Sequence, residues 1–297
     1  MKGFEKGLSG SLHWVILVLT EAEERRILDQ AYIPEHIVSL MKSLSGGEPF
    51  LIDDFLCFFK KDWLMVIGYP LGSPFQRESL EKAVMKGLEQ FRPVYGWFMA
   101  PEAPPLFSRL CSNRQRDNYY ELDLHQSAPS EKLTRIAEKA SRELRVAREQ
   151  QMGDEHRRLI AEFTERETLS PQVRQLYLEM PQVVNQSTTA TVLNAWNREG
   201  DLTAFYVVEL AALRFAAYLI GCFSRKTYAP HASDLLFHEM IVLAREQGKA
   251  SINLGLGVNE GIRRFKKKWG GTPTLSYEYC EYKSKSRWLL QFLQQRV

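Results

Sequence analysis

A chain of 297 residues, 44% apolar and 25% charged, has room for an ample core in one large or two ordinary domains, and this composition excludes the disordered and membrane classes. The formal charge of +3 is too small to imply a nucleic-acid partner by itself, although basic residues can still cluster locally. Cys57, Cys111, Cys222 and Cys280 are scattered without metal-type spacing, so they read as reduced core thiols of a cytoplasmic protein, with no metal site and no disulfide framework.

The apolar run at residues 12–19 is shorter than the roughly 20 residues of a bilayer span and no cleavage site comes after it, so it reads as a buried strand and no integral membrane segment is expected. Thr20 before Glu21, Glu23 and Glu24 has the form of a helix cap with an acidic first turn. Residues 34–44 read as a second short helix, closed by Gly46 and Gly47. Aromatic and branched runs at 55–59 and 63–67, joined by Lys60, Lys61 and Asp62, predict a hairpin. Past a loop at 69–74, Leu80, Val84, Leu88 and Phe91 share one helical face, which Pro93 ends. Strands are expected at 94–99 and 119–124, with a short helix at 106–111.

From 130 to 151 the pattern predicts one long charged helix with Leu133, Ile136, Ala137, Ala140, Leu144 and Ala147 as its apolar stripe. Its Arg, Lys and Glu residues alternate at helical spacing, which favours a solvated face over an RNA-binding one. Further helices are expected at 155–166, 171–179 and 188–198, the last capped by Ser187 or Thr188.

The second half repeats the grammar of the first: a hairpin at 203–210 and 214–223, a Pro-containing loop, a helix from Ser233, a strand from Ser251, a short basic helix and a last strand. Gly68 and Gly221, Ser79 and Ser233, Val94 and Ser251, Tyr119 and Leu275 stand 153 to 157 residues apart. Such offsets point to two copies of one α/β unit, at 1–127 and 128–297. The first copy has Gly72, Ser73 and Pro74 at the place where the second opens a helix, and it is expected to support the fold and shape a cleft between the halves. Leu235, Leu236, Met240, Leu243 and Ala244 turn the second helix to the core, which leaves the amides near Ala232 to Asp234 for an anion, or for Ser233 as a cap.

The hairpin, open helix, short strand and basic helix resemble the core of the GNAT N-acyltransferase superfamily. The string Asn259-x-Gly261-Ile262-x-x-Phe265-Lys266-x-x-Trp269-Gly270 resembles the branch that holds the Fem-type peptidyltransferases and the soluble domain of phosphatidylglycerol lysyltransferases. The resemblance is clear over residues 200–282 and weaker over 50–125. It implies an α/β fold of tandem GNAT-like units, mixed central sheets flanked by helices, with the donor site in the C-terminal unit. The superfamily's phosphate cradle, Arg/Gln-x-x-Gly-x-Gly/Ala, falls on Thr227, Pro230 and Ala232; only Ala232 matches, and Pro230 has no amide to give. Consecutive amides at His231, Ala232, Ser233 and Asp234 remain, with Arg225 and Lys226 to add charge. Where the superfamily places Asn and then a Tyr that protonates the leaving thiolate, this chain has Asn259, Phe265 and Lys266. Lys266 can stabilise a leaving group or bind a phosphate; Tyr228 and Tyr277 are reserve phenols.

The implied chemistry is attack of an amine on an activated ester or thioester, in which alignment supplies much of the acceleration. Glu209, His231 and His238 are the base candidates and Asn253 a substrate-binding one. The acceptor is a small-molecule or peptide amine. Acyl-CoA is the leading donor, and aminoacyl-tRNA, met by Arg263, Arg264, Lys266, Lys267 and Lys268, the alternative. A catalytically degenerate binding module is the third possibility.

Overall fold

The computed structural model describes residues 19–105, 111–126 and 129–284. The strand expected at 12–19 lies outside them but for Leu19, and the helix expected at 106–111 but for Cys111. Helix α1 (Glu21–Gln30) starts in a reciprocal cap between Thr20 and Glu23, and after a 3-10 turn, Pro34–His36, helix α2 (Val38–Ser45) ends on Gly46 at φ 63°. Strand β1 (Glu48–Ile52) precedes the expected hairpin β2 (Phe55–Lys60) and β3 (Trp63–Ile67), then α3 (Arg77–Phe91), β4 (Tyr95–Ala100) and β5 (Asn113–Asp123).

Two expectations fail in the middle of the chain. The long helix stops early: α4 (Glu131–Ala140) is capped by Ser130, and residues after it form strand β6 (Arg145–Glu149). This strand is the last in the sheet, where only one side pairs and charged residues protect the edge. Arg148 reaches back to Glu239 and Glu246, so the alternating charges that look helical belong to an edge. Helices α5 (Asp154–Arg166) and α6 (Pro171–Gln186) come next, and the helix expected at 188–198 is instead strand β7 (Ala190–Trp196). Ser187 does cap, but by accepting the Thr189 and Ala190 amides at 3.1 and 2.9 Å, which turns the chain from α6 into a strand.

The remainder matches the sequence: β8 (Leu202–Glu209), β9 (Phe215–Phe223), α7 (Ala232–Glu246), β10 (Ser251–Leu256), α8 (Glu260–Lys268) and β11 (Thr272–Lys283). Among the described residues, eleven strands form one mixed sheet in the order β1-β2-β3-β4-β11-β5-β10-β9-β8-β7-β6. Only β3–β4 and β9–β10 are parallel, as a strand, helix, strand crossover requires. The two halves trade strands: β5 pairs with β10, and β11 enters between β4 and β5.

Apolar residues of α3, α4 and α7 cover one face of this sheet, and those of α1, α2, α5 and α6 cover the other. Cys57 and Cys222 are buried thiols as expected, but Cys111 and Cys280 form a disulfide with Cα atoms 5.5 Å apart. Their separation of 169 residues hides a pairing that the adjacency of β5 and β11 creates. Among the described residues, no helix is long and apolar enough to cross a membrane.

Candidate functional site

The parallel strands β9 and β10 pair only from Phe215 and Ser251 to Ala217 and Asn253. Beyond that row each departs for its own reason. In β9 the register against β8 shifts between Tyr218 and Ile220, a bulge that bends the strand. In β10, Asn253 Oδ1 accepts the Gly255 amide at 2.9 Å, Gly255 adopts φ 70°, and the strand leans onto β5, where Leu256 pairs with Tyr119. The result is a gap that widens toward the C-terminal ends of both strands, the usual place for ligands in open α/β sheets.

Helix α7 opens beside this gap. His231, its N-cap, has φ 64° and makes no side-chain cap. The Ala232 amide bonds to Ala229 and that of Leu235 to His231, so Ser233 and Asp234 carry the first helical amides without a backbone partner among the described residues. A cavity of about 220 Å³ lies against them, lined also by Thr203, Ser224 and Tyr228. Its floor is braced from α5: Glu162 accepts from Ser224 Oγ at 2.9 Å and from the Arg225 amide at 2.6 Å, and Ser224 Oγ accepts the Lys226 amide at 3.0 Å. The Arg225 and Lys226 side chains are exposed on this rim.

The Phe265 to Trp269 string proves largely architectural. Trp269 is buried and stacks on Phe237 at 4.9 Å, while Phe265 meets the same ring edge-on. The Trp269 indole and Lys268 Nζ both donate to Asp234 Oδ1, at 3.1 and 2.5 Å, and His231 Nδ1 lies 3.2 Å from Asp234 Oδ2. Asp234 is therefore a buried clamp between α7 and α8. Its charge is matched by Lys268, and only its amide is available to a ligand.

Lys266 is different. It is 4% exposed, its Nζ donates to the Leu256 carbonyl at 2.6 Å, and the Tyr120 ring lies 5.8 Å away. Burial pushes its pKa down to about 7, against the upward pull of Asp117, because a charged amine is disfavoured where water is excluded. The structure thus sets a lysine that is part neutral near pH 7 at the strand end where β9 and β10 have parted.

Three expected site residues do other work. The Glu209 carboxylate, 1% exposed, accepts the Leu210 and Ala211 amides at 2.9 and 3.0 Å and the Ser187 hydroxyl at 3.3 Å; it ties down a loop at the end of β8 remote from Thr203 and the α7 cavity. Asn253 shapes the β10 bend, and Asn259 caps α8 through the Ile262 amide at 2.9 Å. In each of the three the oxygens bond the nearby chain, since short polar side chains near strand and helix ends serve the backbone first. His231 is exposed, and His238 lies farther along α7. Tyr228 lines the cavity, while Tyr277 packs against Tyr119 on the opposite face of the sheet. Arg264 and Lys267 are exposed, and Arg263 lies 4.0 Å from Glu260.

Two residues of the gap gave no signal in the sequence. Tyr218 stands at the β9 bulge, edge-on to Tyr206 at 4.9 Å, and burial raises its pKa well above the usual value, so its phenol keeps its proton. A side chain at Gly221 would collide with that hydroxyl, which accounts for the glycine. Asp117 accepts the Val258 amide at 2.7 Å and brings β5 of the first half to the loop after β10. The first half has its own cavity at the α3 N-terminus, about 390 Å³, lined by Asp53, Asp54, Ser73, Gln76 and Lys82; its acidic wall sets it apart.

No family model and no curated protein matches the sequence. Solved structures do match in shape. L-PGS from Bacillus licheniformis superposes with a TM-score of 0.56 at 17% identity, over 93% of this chain and 96% of that one. FemX gives 0.57 at 12% identity, over 93% and 99%. A tandem GNAT protein from the clavulanic acid biosynthesis pathway gives 0.52 at 13%, over 89% and 95%. The chain therefore has the GNAT-type α/β fold, in the arrangement seen in L-PGS and FemX.

Proposed function

We propose that the chain transfers an acyl group from an ester or thioester on a phosphate-bearing carrier to an amine, at the gap between β9 and β10. One observation carries this: Lys266, buried at the end of β10 on α8, the helix whose Lys268 and Trp269 meet Asp234 at the α7 N-terminus. In its neutral form Lys266 donates one N–H to Leu256 and keeps a lone pair to accept a proton, with a pKa matched to neutral pH. The amine nitrogen attacks the carbonyl carbon and passes its proton to Lys266. As the bond to the carrier breaks, the leaving oxygen or sulfur takes a proton from the Tyr218 phenol. Ser233 and Asp234 amides hold carrier phosphate, with Arg225 and Lys226 at the rim. The halves 1–127 and 128–297 act as two units, the first shaping the acceptor side.

Between the two carriers, the geometry favours aminoacyl-tRNA over acyl-CoA, which reverses the order expected from sequence. A pyrophosphate would find only two unpaired amides, Pro230 without one, and the Asp234 carboxylate close by. Exposed cations at Arg225, Lys226 and Lys267 suit a longer polyanion. Melting temperatures measured with bulk tRNA and with CoA decide between them: a rise with tRNA that fades steeply with salt supports this order, and a rise with CoA alone reverses it. No response to either, with no aminoacyl or acyl transfer to a panel of amines, would leave the fold as a binding module.

A further inference from the structure

On the face of the sheet opposite α7, a layer of phenols surrounds one carboxyl that the proposed transfer does not use. Tyr119 of β5 is 1% exposed and stands edge-on to Tyr277 at 5.4 Å and to Tyr69 at 5.8 Å. Glu35, in the 3-10 turn before α2, lies beside the Tyr119 hydroxyl. Burial raises its carboxyl pKa, and Tyr119 offsets part of that. Among the described residues, Glu35 Oε2 and the Tyr119 hydroxyl lie near enough to act on one another, but neither makes a well-formed hydrogen bond, although both atoms are shut off from water. Orphaned buried polar atoms are rare in folded proteins because each costs a lost hydrogen bond.

The neighbours do not answer this need. Among the described residues, no lysine or arginine acts on the Glu35 carboxyl. His36 is neutral: its Nδ1 accepts the Tyr32 amide at 3.5 Å, its Nε2 lies 2.9 Å from the Tyr69 carbonyl, and burial depresses its pKa to about 4. The Tyr69 hydroxyl is already given to the Ser276 carbonyl at 2.6 Å. What remains is a carboxyl and a phenol oxygen facing one another inside aromatic walls, the chemistry that holds an organic cation. The layer opens at its rim, where Tyr32 is 37% exposed. On its inner side it adjoins Leu256, paired with Tyr119, the residue whose carbonyl holds Lys266.

We propose that this layer binds an alkylammonium group of the amine substrate, between Glu35 and Tyr119, and that a second nitrogen of the same molecule extends toward the end of β10. The assignment of that molecule as acceptor rests on the transfer reaction proposed above; the binding site itself does not. Burial raises the Glu35 carboxyl pKa, and a cation beside it would favour release of its proton.

Calorimetric titration with cadaverine tests this, with 1,5-pentanediol as the uncharged match. Wild-type protein is expected to bind cadaverine saturably, with a heat that varies with the ionisation heat of the buffer, and to ignore the diol. Glu35→Gln is expected to bind about tenfold more weakly or worse and to lose the buffer dependence, while its melting temperature and circular dichroism stay those of the wild type. Tyr119→Phe, which retains the ring, is expected to weaken binding severalfold and carries the test if Glu35→Gln does not fold. Wild-type protein that fails to bind, or either folded variant binding as tightly as wild type, overturns the site. Cadaverine binding without acyl transfer would overturn the reaction and keep the site, whereas transfer to amines unaffected by Glu35→Gln would do the reverse.

Discussion

Asp234 accepts the indole N–H of Trp269 at 3.1 Å, and this bond fastens the end of α8 to the first turn of α7. Trp269→Phe keeps a ring against Phe237 and removes the donor, leaving Asp234 with Lys268 and His231. A hydrogen bond to a buried charge contributes about 2 kcal/mol, so the unfolding free energy from urea titration is expected to fall by that amount. Asp234→Ala is expected to cost more, since it strips Trp269 and Lys268 of their shared acceptor. If Trp269→Phe instead slows transfer without loss of stability, the architectural role given to this motif is wrong.

Lys266→Met isolates the buried lysine. Its folded pKa of about 7 lies below the unfolded value of about 10.4, so between these limits the unfolded chain binds more protons. Stability therefore rises with pH across that window and is lowest below it. The variant is expected to lose this rise in urea titrations run from about pH 6 to about pH 10, to be at least as stable as wild type at the acid end, and to transfer acyl groups about a hundredfold more slowly or worse. A wild-type pH slope retained in the variant would assign the rise to another group.

His36 sets an acid limit. Its folded pKa of about 4 is below the ordinary 6.5, so the neutral ring contributes stability that is complete above about pH 6.5 and lost as pH falls toward 4. The sum is of order 3 kcal/mol. His36→Asn is expected to melt with a shallower dependence on pH in this interval, which scanning calorimetry at several acid pH values measures.

The bend of β10 depends on one glycine. Gly255 sits at φ 70°, where an added Cβ would meet only the Tyr218 carbonyl at an ordinary 3.7 Å. Gly255→Ala is therefore strained by its backbone and not by crowding, at about 1–2 kcal/mol. If the gap is the donor site, donor binding is expected to fall by more than stability does, because β10 can relieve the strain by straightening toward β9.

The sequence carries the repeating parts of this molecule and hides those built from distance. Leu80, Val84, Leu88 and Phe91 mark α3, and the stripe from Leu235 to Ala244 marks α7, because each helix buries one face. Arg145–Glu149 and Ala190–Trp196 pass for helices, since an edge strand with alternating charges imitates a solvated helix and Ser187 signals a cap without revealing whether a helix or a strand comes after it. At the site, Lys266 is visible as a cation but not as a buried one. Glu209, Asn253 and Asn259 have the right chemistry, which the nearby backbone consumes. Tyr218, Asp117 and Glu35 give no signal, because their neighbours come from other parts of the chain.

The position of β11 bears on how the protein is made. Among the described residues β11 is the last strand in chain order, yet it occupies the slot between β4 and β5, near the middle of the sheet, so until it is made the sheet has an unfilled seam at its centre. Long-range pairing of this kind is slow, and open strand edges invite wrong partners while they wait. The emergence of β11, rather than of the strands before it, is then the event that completes the sheet and brings Tyr277 to Tyr119.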